Sequence, residues 1–219
     1  MNVYKISNIK KIPFNFSVTT SLILANVIVF LVFMFFRPEF VTKFVAIDPF
    51  YILQGKYLWT ILTSMFMHGS LFHIFANMFS LIFVGGLIEK LIGPKRYFWF
   101  YMFSGIFGSL LYVLFYFIAG NLGINAPAVG ASGALFGLVG FLVLITPNLP
   151  VYMMFIPIPV KMKYAGPGLL VVLWLISIAG NVPIGNTAHL GGLIAGIAYG
   201  VYIKTKYKRK ASMIQKRFS

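Results

Sequence analysis

Long apolar runs alternate with short polar or charged stretches along most of the chain. Six runs approach the roughly 20 apolar residues that a membrane-crossing helix needs. They cover about residues 17–36, 67–90, 97–119, 130–147, 164–180 and 188–203. The pattern predicts an all-α polytopic membrane protein with six transmembrane helices. Because the fifth and sixth runs are short and rich in glycine, we expect those two helices to pack inside the bundle rather than face lipid.

Two connections between the predicted helices are themselves apolar. The loop after the first run carries many aromatic residues, Trp59 among them. A loose connector is one interpretation, but Trp and Tyr favour the membrane–water interface, which indicates short segments lying there. The connection 148–163 contains three prolines, which exclude a seventh span.

The composition places the protein in lipid and restricts its chemistry. Of the 219 residues, 60% are hydrophobic and 10% are charged, whereas a soluble domain carries about 25% charged residues. The chain contains no cysteine, so disulfides and thiol catalysis are excluded.

The basic residues predict an orientation. The formal net charge is +15, and 15 of the 18 Lys and Arg fall on one predicted side of the membrane. By the positive-inside rule both termini are cytoplasmic. We expect residues 1–203 to form the membrane domain and 204–219 to form a basic cytoplasmic tail. The tail should face the anionic inner leaflet, and we expect no nucleic-acid partner.

Polar side chains cluster at one predicted depth. The second, fourth and sixth helices run in the same direction, and Ser132, His189 and the group His68, His73 and Asn77 lie near their starts. Ionisable residues inside a membrane are functional-site candidates by default. Because these three helices run in the same direction, all five side chains should lie in the outer half of the bundle.

Small residues on the fourth and sixth helices would let their backbones approach closely. They are Gly130, Gly133, Gly137 and Gly140 on the fourth and Gly192, Gly196 and Gly200 on the sixth. Packing alone explains such glycines. The same packing would also bring Ser132 within hydrogen-bond reach of His189.

A metal site fits these residues poorly. On one helix, His68 and His73 would point about 140° apart, whereas zinc proteases place two histidines four residues apart with a glutamate beside the first. We expect no metal and no cofactor. Nucleophilic chemistry fits better: Ser132 would attack a carbonyl, His189 would move the proton, and His73, Asn77 and the Ser132 N–H would stabilise the oxyanion. The Gly-x-Ser-x-Gly elbow of soluble hydrolases is absent, because the second glycine comes one residue early.

Three motifs carry a family resemblance: "HGSLFHIFANM" (68–78), "GASGALFG" (130–137) and "AHLGGLIAG" (188–196). In this order, on six predicted helices, the chain resembles the rhomboid intramembrane serine proteases. The resemblance implies a rhomboid six-helix bundle with Ser132 as nucleophile and His189 as general base. It also implies oxyanion-hole donors at His73 and Asn77 and a structural histidine at His68.

The resemblance implies further roles away from the nucleophile. Glu89 should tie the inner helix ends together, with Thr19, Thr20 and Ser21 as possible partners. The loop 181–187 should form part of a gate. Phe136 replaces a tyrosine of some members and should pack on His189, while Thr60 replaces the arginine that often follows the loop tryptophan, here Trp59.

The function that follows is cleavage of membrane-spanning substrates near the outer membrane surface by a Ser–His dyad, in the plasma membrane of a prokaryote. No acid is well placed to complete a triad. The alternative is an inactive rhomboid-like protein that binds membrane helices. A transporter or channel is a third class, but such proteins usually place ionisable groups near the midplane.

Overall fold

A computed structural model describes residues 16–119, 127–153, 157–182 and 184–218. Lys5, Lys10 and Lys11, on which part of the predicted charge asymmetry rests, lie outside these residues, as does most of the predicted outer loop 120–129. The described residues are mostly helical.

Helices occur at all six predicted segments. The first is α1 (Val18–Phe33), and the long loop after it holds α2 (Pro38–Phe44), α3 (Pro49–Leu53) and α4 (Thr60–Thr63). A 3₁₀ turn (Ser64–Phe66) precedes α5 (Leu71–Ser80), which continues through a π-helical turn (Leu81–Gly85) into α6 (Gly86–Ile92). The remaining elements are α7 (Pro94–Ala119), α8 (Ser132–Ile145), α9 (Met162–Ala179), α10 (Asn186–Lys206) and α11 (Lys208–Arg217).

Length and apolar composition support a membrane location. Within the described residues, three helical stretches are long and apolar enough to cross a membrane: Leu71–Ile92, Pro94–Ala119 and Met162–Ala179. Two shorter helices, Val18–Phe33 and Ser132–Ile145, are also apolar. The chain is an integral membrane protein with at least these candidate crossings, and the count of six spans stays a prediction.

The core lies along α8, which is buried on nearly all sides. Its buried residues include Leu138 and Phe141. Helix α10 packs against it through its buried Gly192 and Gly196, and α7 packs against it with Tyr101 buried. This central position explains why α8 can be only 14 residues long: its surroundings are protein rather than lipid.

The expectation that the fifth segment packs inside the bundle is wrong. Most of α9 is open, with Leu175 60% and Ile178 79% exposed. Its glycines lie in the first part of the helix, where Gly166 contacts Val143 of α8, while the apolar second part faces outward. The sixth segment, in contrast, is buried as expected.

The described residues of the connection between α8 and α9, 146–153 and 157–161, contain no helix. They include a short antiparallel pairing of β1 (Pro150–Val151) with β2 (Val160–Lys161). Proline removes a backbone donor and disfavours a helix interior, which agrees with this outcome.

The loop between α1 and α5 is ordered by aromatic packing and a few hydrogen bonds. The Trp59 indole N–H donates to the Phe44 carbonyl at 2.9 Å, and its ring contacts that of Tyr57. Thr60, at the position of the expected arginine, is 1% exposed and donates to the Tyr57 carbonyl at 2.8 Å. The loop is therefore three short helices held together, not a loose connector.

Candidate active site

Ser132 and His189 meet although they are 57 positions apart in the sequence. Ser132 is the first residue of α8, and His189 lies in the first turn of α10. The Ser132 Oγ is 2.7 Å from the His189 Nε2, and the histidine is 6% exposed. The pair is thus hydrogen-bonded and largely enclosed, at one end of an apolar bundle.

Backbone contact between α8 and α10 makes this approach possible. A Cβ on Gly192 would fall on the Gly133 carbonyl group, 2.9 Å from its carbon, and one on Gly196 would fall on the Gly137 carbonyl group. Only hydrogen fits at these two positions. Gly192 and Gly196 therefore pack α10 closely against α8, as expected. His189 lies on the same face of α10, one turn before Gly192 and two turns before Gly196.

An aromatic ring, rather than an acid, accompanies His189. The Phe136 ring stacks on the imidazole with centroids 4.7 Å apart and planes at 21°. Within the described part of the chain, the buried His189 Nδ1 has no hydrogen-bond partner. Asp48 instead accepts from the Phe50 N–H at 2.9 Å, which caps α3. The arrangement is a serine–histidine pair without a carboxylate behind it.

His73 approaches the same point from α5. Gly130 has φ +129°, and a Cβ there would lie 2.7 Å from the His73 Nε2 and 3.6 Å from the Ser132 Oγ. The Gly69 N–H faces the His73 Nδ1 at 3.5 Å. In the tautomer that accepts at Nδ1, the imidazole hydrogen is on Nε2. His73 therefore directs its Nε2 toward the space beside Ser132.

His68 lies outside the helix on which the sequence analysis placed it. Because α5 begins only at Leu71, the argument that two histidines diverge by 140° around one helix is wrong. The imidazole is 1% exposed, and its Nε2 accepts from the Ala131 N–H at 3.5 Å. This contact lies at the residue immediately before Ser132, and the His68 and His73 rings meet edge to face with centroids 4.9 Å apart.

Asn77 sits one turn after His73 on α5 and is 5% exposed. Its Nδ2 donates to the His73 carbonyl at 2.8 Å, while its Oδ1 has no partner among the described residues. The amide retains a second N–H, so donation to a ligand remains compatible with this bond.

Two residues that hold this region were not singled out from the sequence. The Ser70 Oγ accepts from the His73 N–H at 3.1 Å and caps α5, and the Gly69 N–H faces the His73 Nδ1. A serine before an apolar helical run is an N-cap signal, so Ser70 was detectable; the Gly69 contact was not.

Glu89 lies at the opposite end of the bundle from Ser132. Its carboxylate accepts from the Val18 N–H at 2.8 Å, the Thr19 N–H at 2.9 Å and the Thr19 Oγ at 2.7 Å. The other two suggested partners, Thr20 and Ser21, bond to Ser17 instead. Glu89 joins α6 to the start of α1, where a negative charge is favourable.

The described residues contain no group of three His, Cys, Asp or Glu side chains that could hold a metal ion. The candidate site consists of one hydroxyl, imidazoles and an amide, enclosed by apolar helices. Such groups can perform nucleophilic attack and proton transfer without a cofactor.

Fold and site together describe a helical integral membrane protein that encloses a hydrogen-bonded serine–histidine pair near one end of its bundle. A family model of the rhomboid domain matches residues 55–206, well over half of the chain. The chain belongs to the rhomboid family.

Individual relatives agree with this assignment. RHOMBOID-like protein 1 of Arabidopsis thaliana is 38% identical over 164 residues, covering 72% of this chain and 38% of the relative. Rhomboid protein 1, mitochondrial, of Saccharomyces cerevisiae is 31% identical over 175 residues, covering 75% and 48%. Inactive RHOMBOID-like protein 8 of Arabidopsis thaliana is 44% identical over 87 residues, covering 40% and 23%. The chain thus spans less than half the length of these relatives.

Proposed function

We propose that this protein is an intramembrane serine endopeptidase that cleaves transmembrane segments near the membrane surface, with Ser132 as nucleophile and His189 as general base. The observation that carries the proposal is the 2.7 Å contact between the Ser132 Oγ and the His189 Nε2, in a buried site of an apolar bundle. A hydrogen bond between nucleophile and base is the geometric signature of nucleophilic catalysis.

The reaction follows serine acyl transfer. The Ser132 Oγ attacks the substrate carbonyl carbon while His189 Nε2 accepts the hydroxyl proton. His189 then donates that proton to the leaving amine. In the second half of the reaction His189 accepts a proton from water while the water oxygen attacks the acyl carbon, and it returns that proton to the Ser132 Oγ as the acyl–serine bond breaks. The His73 Nε2–H, the Ser132 N–H and the second N–H of Asn77 are proposed to stabilise the oxyanion.

Phe136 is the proposed positioning residue of the pair. In a triad, a carboxylate orients the histidine and stabilises its charged form. A stacked ring restricts the orientation of the imidazole without supplying a full negative charge. The proposed dyad therefore has a weaker base than a triad, and slow turnover is expected.

The proposed topology has six transmembrane helices, both termini on the cytoplasmic side and the Ser132 end facing outward. Residues 1–203 are the membrane domain and 204–219 an additional basic segment. A single cysteine introduced at Ser212 should stay protected from an impermeant thiol reagent on intact cells, while one at Lys56 should react. The reverse pattern would overturn the orientation. The named relatives, from a plant and from yeast mitochondria, give no support to a prokaryotic plasma membrane.

The second candidate is a rhomboid that binds membrane helices without cleaving them. The observation that favours it is the 44% identity to a relative named inactive, over 87 residues. A fluorophosphonate that reacts with activated serines distinguishes the two. If the protein is a protease, the probe should modify Ser132 covalently, and this modification should disappear in His189→Ala. The protein should also cleave a transmembrane substrate, and this cleavage should disappear in Ser132→Ala. Absence of both in folded parent protein would leave the binding role.

A further inference from the structure

The segment after α10 is a docked helix rather than a loose tail. Ala211 of α11 is 1% exposed, and Ile214 packs against the buried apolar core that includes Leu142 and Ile145 of α8. The Gln215 Nε2 donates to the Leu144 carbonyl at 3.2 Å, next to the last residue of α8. One face of α11 is therefore held against the end of the helix whose other end carries Ser132.

The opposite face of α11 is strongly basic and exposed. Its exposed basic side chains are Lys208, Arg209, Lys210, Lys216 and Arg217. Lys204 and Lys206 precede it on the last turn of α10, and 204–218 contains no acidic residue. In the middle of this basic face, Met213 is 57% exposed. The combination is a positive surface with an apolar side chain at its centre.

These charges do not serve the stability of α11. Lys208, Arg209 and Lys210 occupy its first turn, where positive charge opposes the helix dipole, and no acidic residue offsets them. Tyr207 supplies no side-chain cap. Three adjacent like charges at this end are expected to weaken the helix, so they indicate an anionic partner outside it.

The level of α11 in the bundle identifies that partner. Helix α11 lies at the end of α10 opposite His189, where the apolar helices end. Arg96, near the start of α7, is at the same end, since its guanidinium stands 5.5 Å from the Tyr207 ring centroid. Lys161 and Lys163, exposed at the start of α9, belong to the same end. In an integral membrane protein this end meets the lipid headgroups of one leaflet.

We propose that the exposed face of α11 binds the anionic headgroups of that leaflet. Basic side chains near a membrane surface are attracted to anionic lipids, and amphipathic helices add an apolar side chain at the headgroup boundary. Met213 fits that boundary, whereas a nucleic acid would give an exposed methionine no comparable contact. The leaflet is also always within reach, since the bundle is anchored in it. Binding is independent of whether Ser132 is catalytic.

The test uses the full chain in detergent, and the absence of native cysteine allows a single reporter. Ser212→Cys, exposed on α11, carries an environment-sensitive dye. Short-chain phosphatidylglycerol and phosphatidylcholine are titrated separately at low salt. The helix variant combines Lys208→Gln, Arg209→Gln and Lys210→Gln. The matched loop variant removes equal charge at the other end through Arg37→Gln, Lys43→Gln and Lys56→Gln.

We expect the parent to bind phosphatidylglycerol at least tenfold more tightly than phosphatidylcholine, with the preference shrinking as salt increases. Each basic side chain contributes roughly fivefold near an anionic surface, so the helix variant should lose at least tenfold in affinity. The loop variant should stay within about twofold of the parent. If the helix variant does not fold, Lys210→Gln alone should lose about fivefold.

Several results would overturn the proposal. Equal affinity for both lipids, or equal losses in the helix and loop variants, would mean that α11 has no specific role. The same signal from inorganic phosphate at equal concentration would indicate a simple anion site. Displacement of phosphatidylglycerol by a lower concentration of a short oligonucleotide would indicate a nucleic-acid surface instead.

Discussion

Gly196→Ala is the sharpest test of how the site is assembled. In the structure, a Cβ at this position would fall on the Gly137 carbonyl oxygen and lie 2.8 Å from the Phe141 amide nitrogen. Ordinary contacts begin at 3.4 Å, so the Phe141 contact alone requires α10 and α8 to separate by about 0.6 Å, and the closer contact with the Gly137 carbonyl oxygen requires more. Backbone atoms inside two packed helices cannot rotate aside as a side chain can.

The separation would reach the reactive pair. His189 lies seven residues before Gly196, two turns along the same helix face. Adding about 0.6 Å to the 2.7 Å contact between the Ser132 Oγ and the His189 Nε2 moves it past the usual range of such bonds. Since a 1 Å misplacement in an active site costs on the order of 100-fold, we expect a rate loss of about tenfold or more. Overpacking should also destabilise the fold by about 1–3 kcal/mol.

The assay is the rate of fluorophosphonate modification of Ser132, measured together with thermal unfolding of the same sample. Gly168→Ala on α9 is the matched control, because a Cβ there meets nothing within 4 Å. It should leave the rate unchanged and stabilise the helix by up to about 1 kcal/mol. If Gly196→Ala reacts and unfolds like the parent, the close contact of α8 and α10 does not position the pair.

Three further substitutions test other parts of the structure. Asp48→Asn should leave substrate cleavage within about tenfold of the parent, because Asp48 caps α3; a loss near 10⁴ would reveal a hidden triad. Trp59→Ala removes the bond to Phe44 and should lower the melting temperature more than Thr60→Ala does, and equal small effects would mean that Trp59 does not anchor the loop. Glu89→Ala removes three hydrogen bonds to the start of α1 and should cost about 2–4 kcal/mol in unfolding free energy; an unchanged denaturant midpoint would argue against this link.

Much of the fold could be predicted because the dominant signal is local. A run of apolar residues of membrane-crossing length indicates a helix whatever its neighbours, and helices occur at all six predicted segments. Boundaries were less accurate: the second segment was predicted from residue 67, but the Ser70 cap delays α5 to Leu71. That short shift removed His68 from the helix and changed the geometry of both histidines.

Features that depend on contacts could not be predicted from apolar runs. The glycine content of the fifth segment predicted an interior position for α9. Glycine permits close helix packing but does not require it, because the shape of the neighbouring helix decides where two helices pack closely. α11 shows the reverse case. Its basic composition predicted a cytoplasmic tail, but not that Ala211 and Ile214 pack it against the bundle.

The sequence by itself determined the class of protein, the helical segments and the identity of the polar residues that share one depth. The rhomboid motifs also named Ser132 and His189 as a pair. Only the tertiary structure decided the geometry. The two reactive atoms lie 2.7 Å apart, the Phe136 ring expected to pack on His189 does so with its plane at 21° to the imidazole, and His73 points its Nε2 toward the same space. The physical reason is that hydropathy acts over neighbouring residues, whereas these distances depend on how closely α8 and α10 pack, and the two residues are 57 positions apart in the chain.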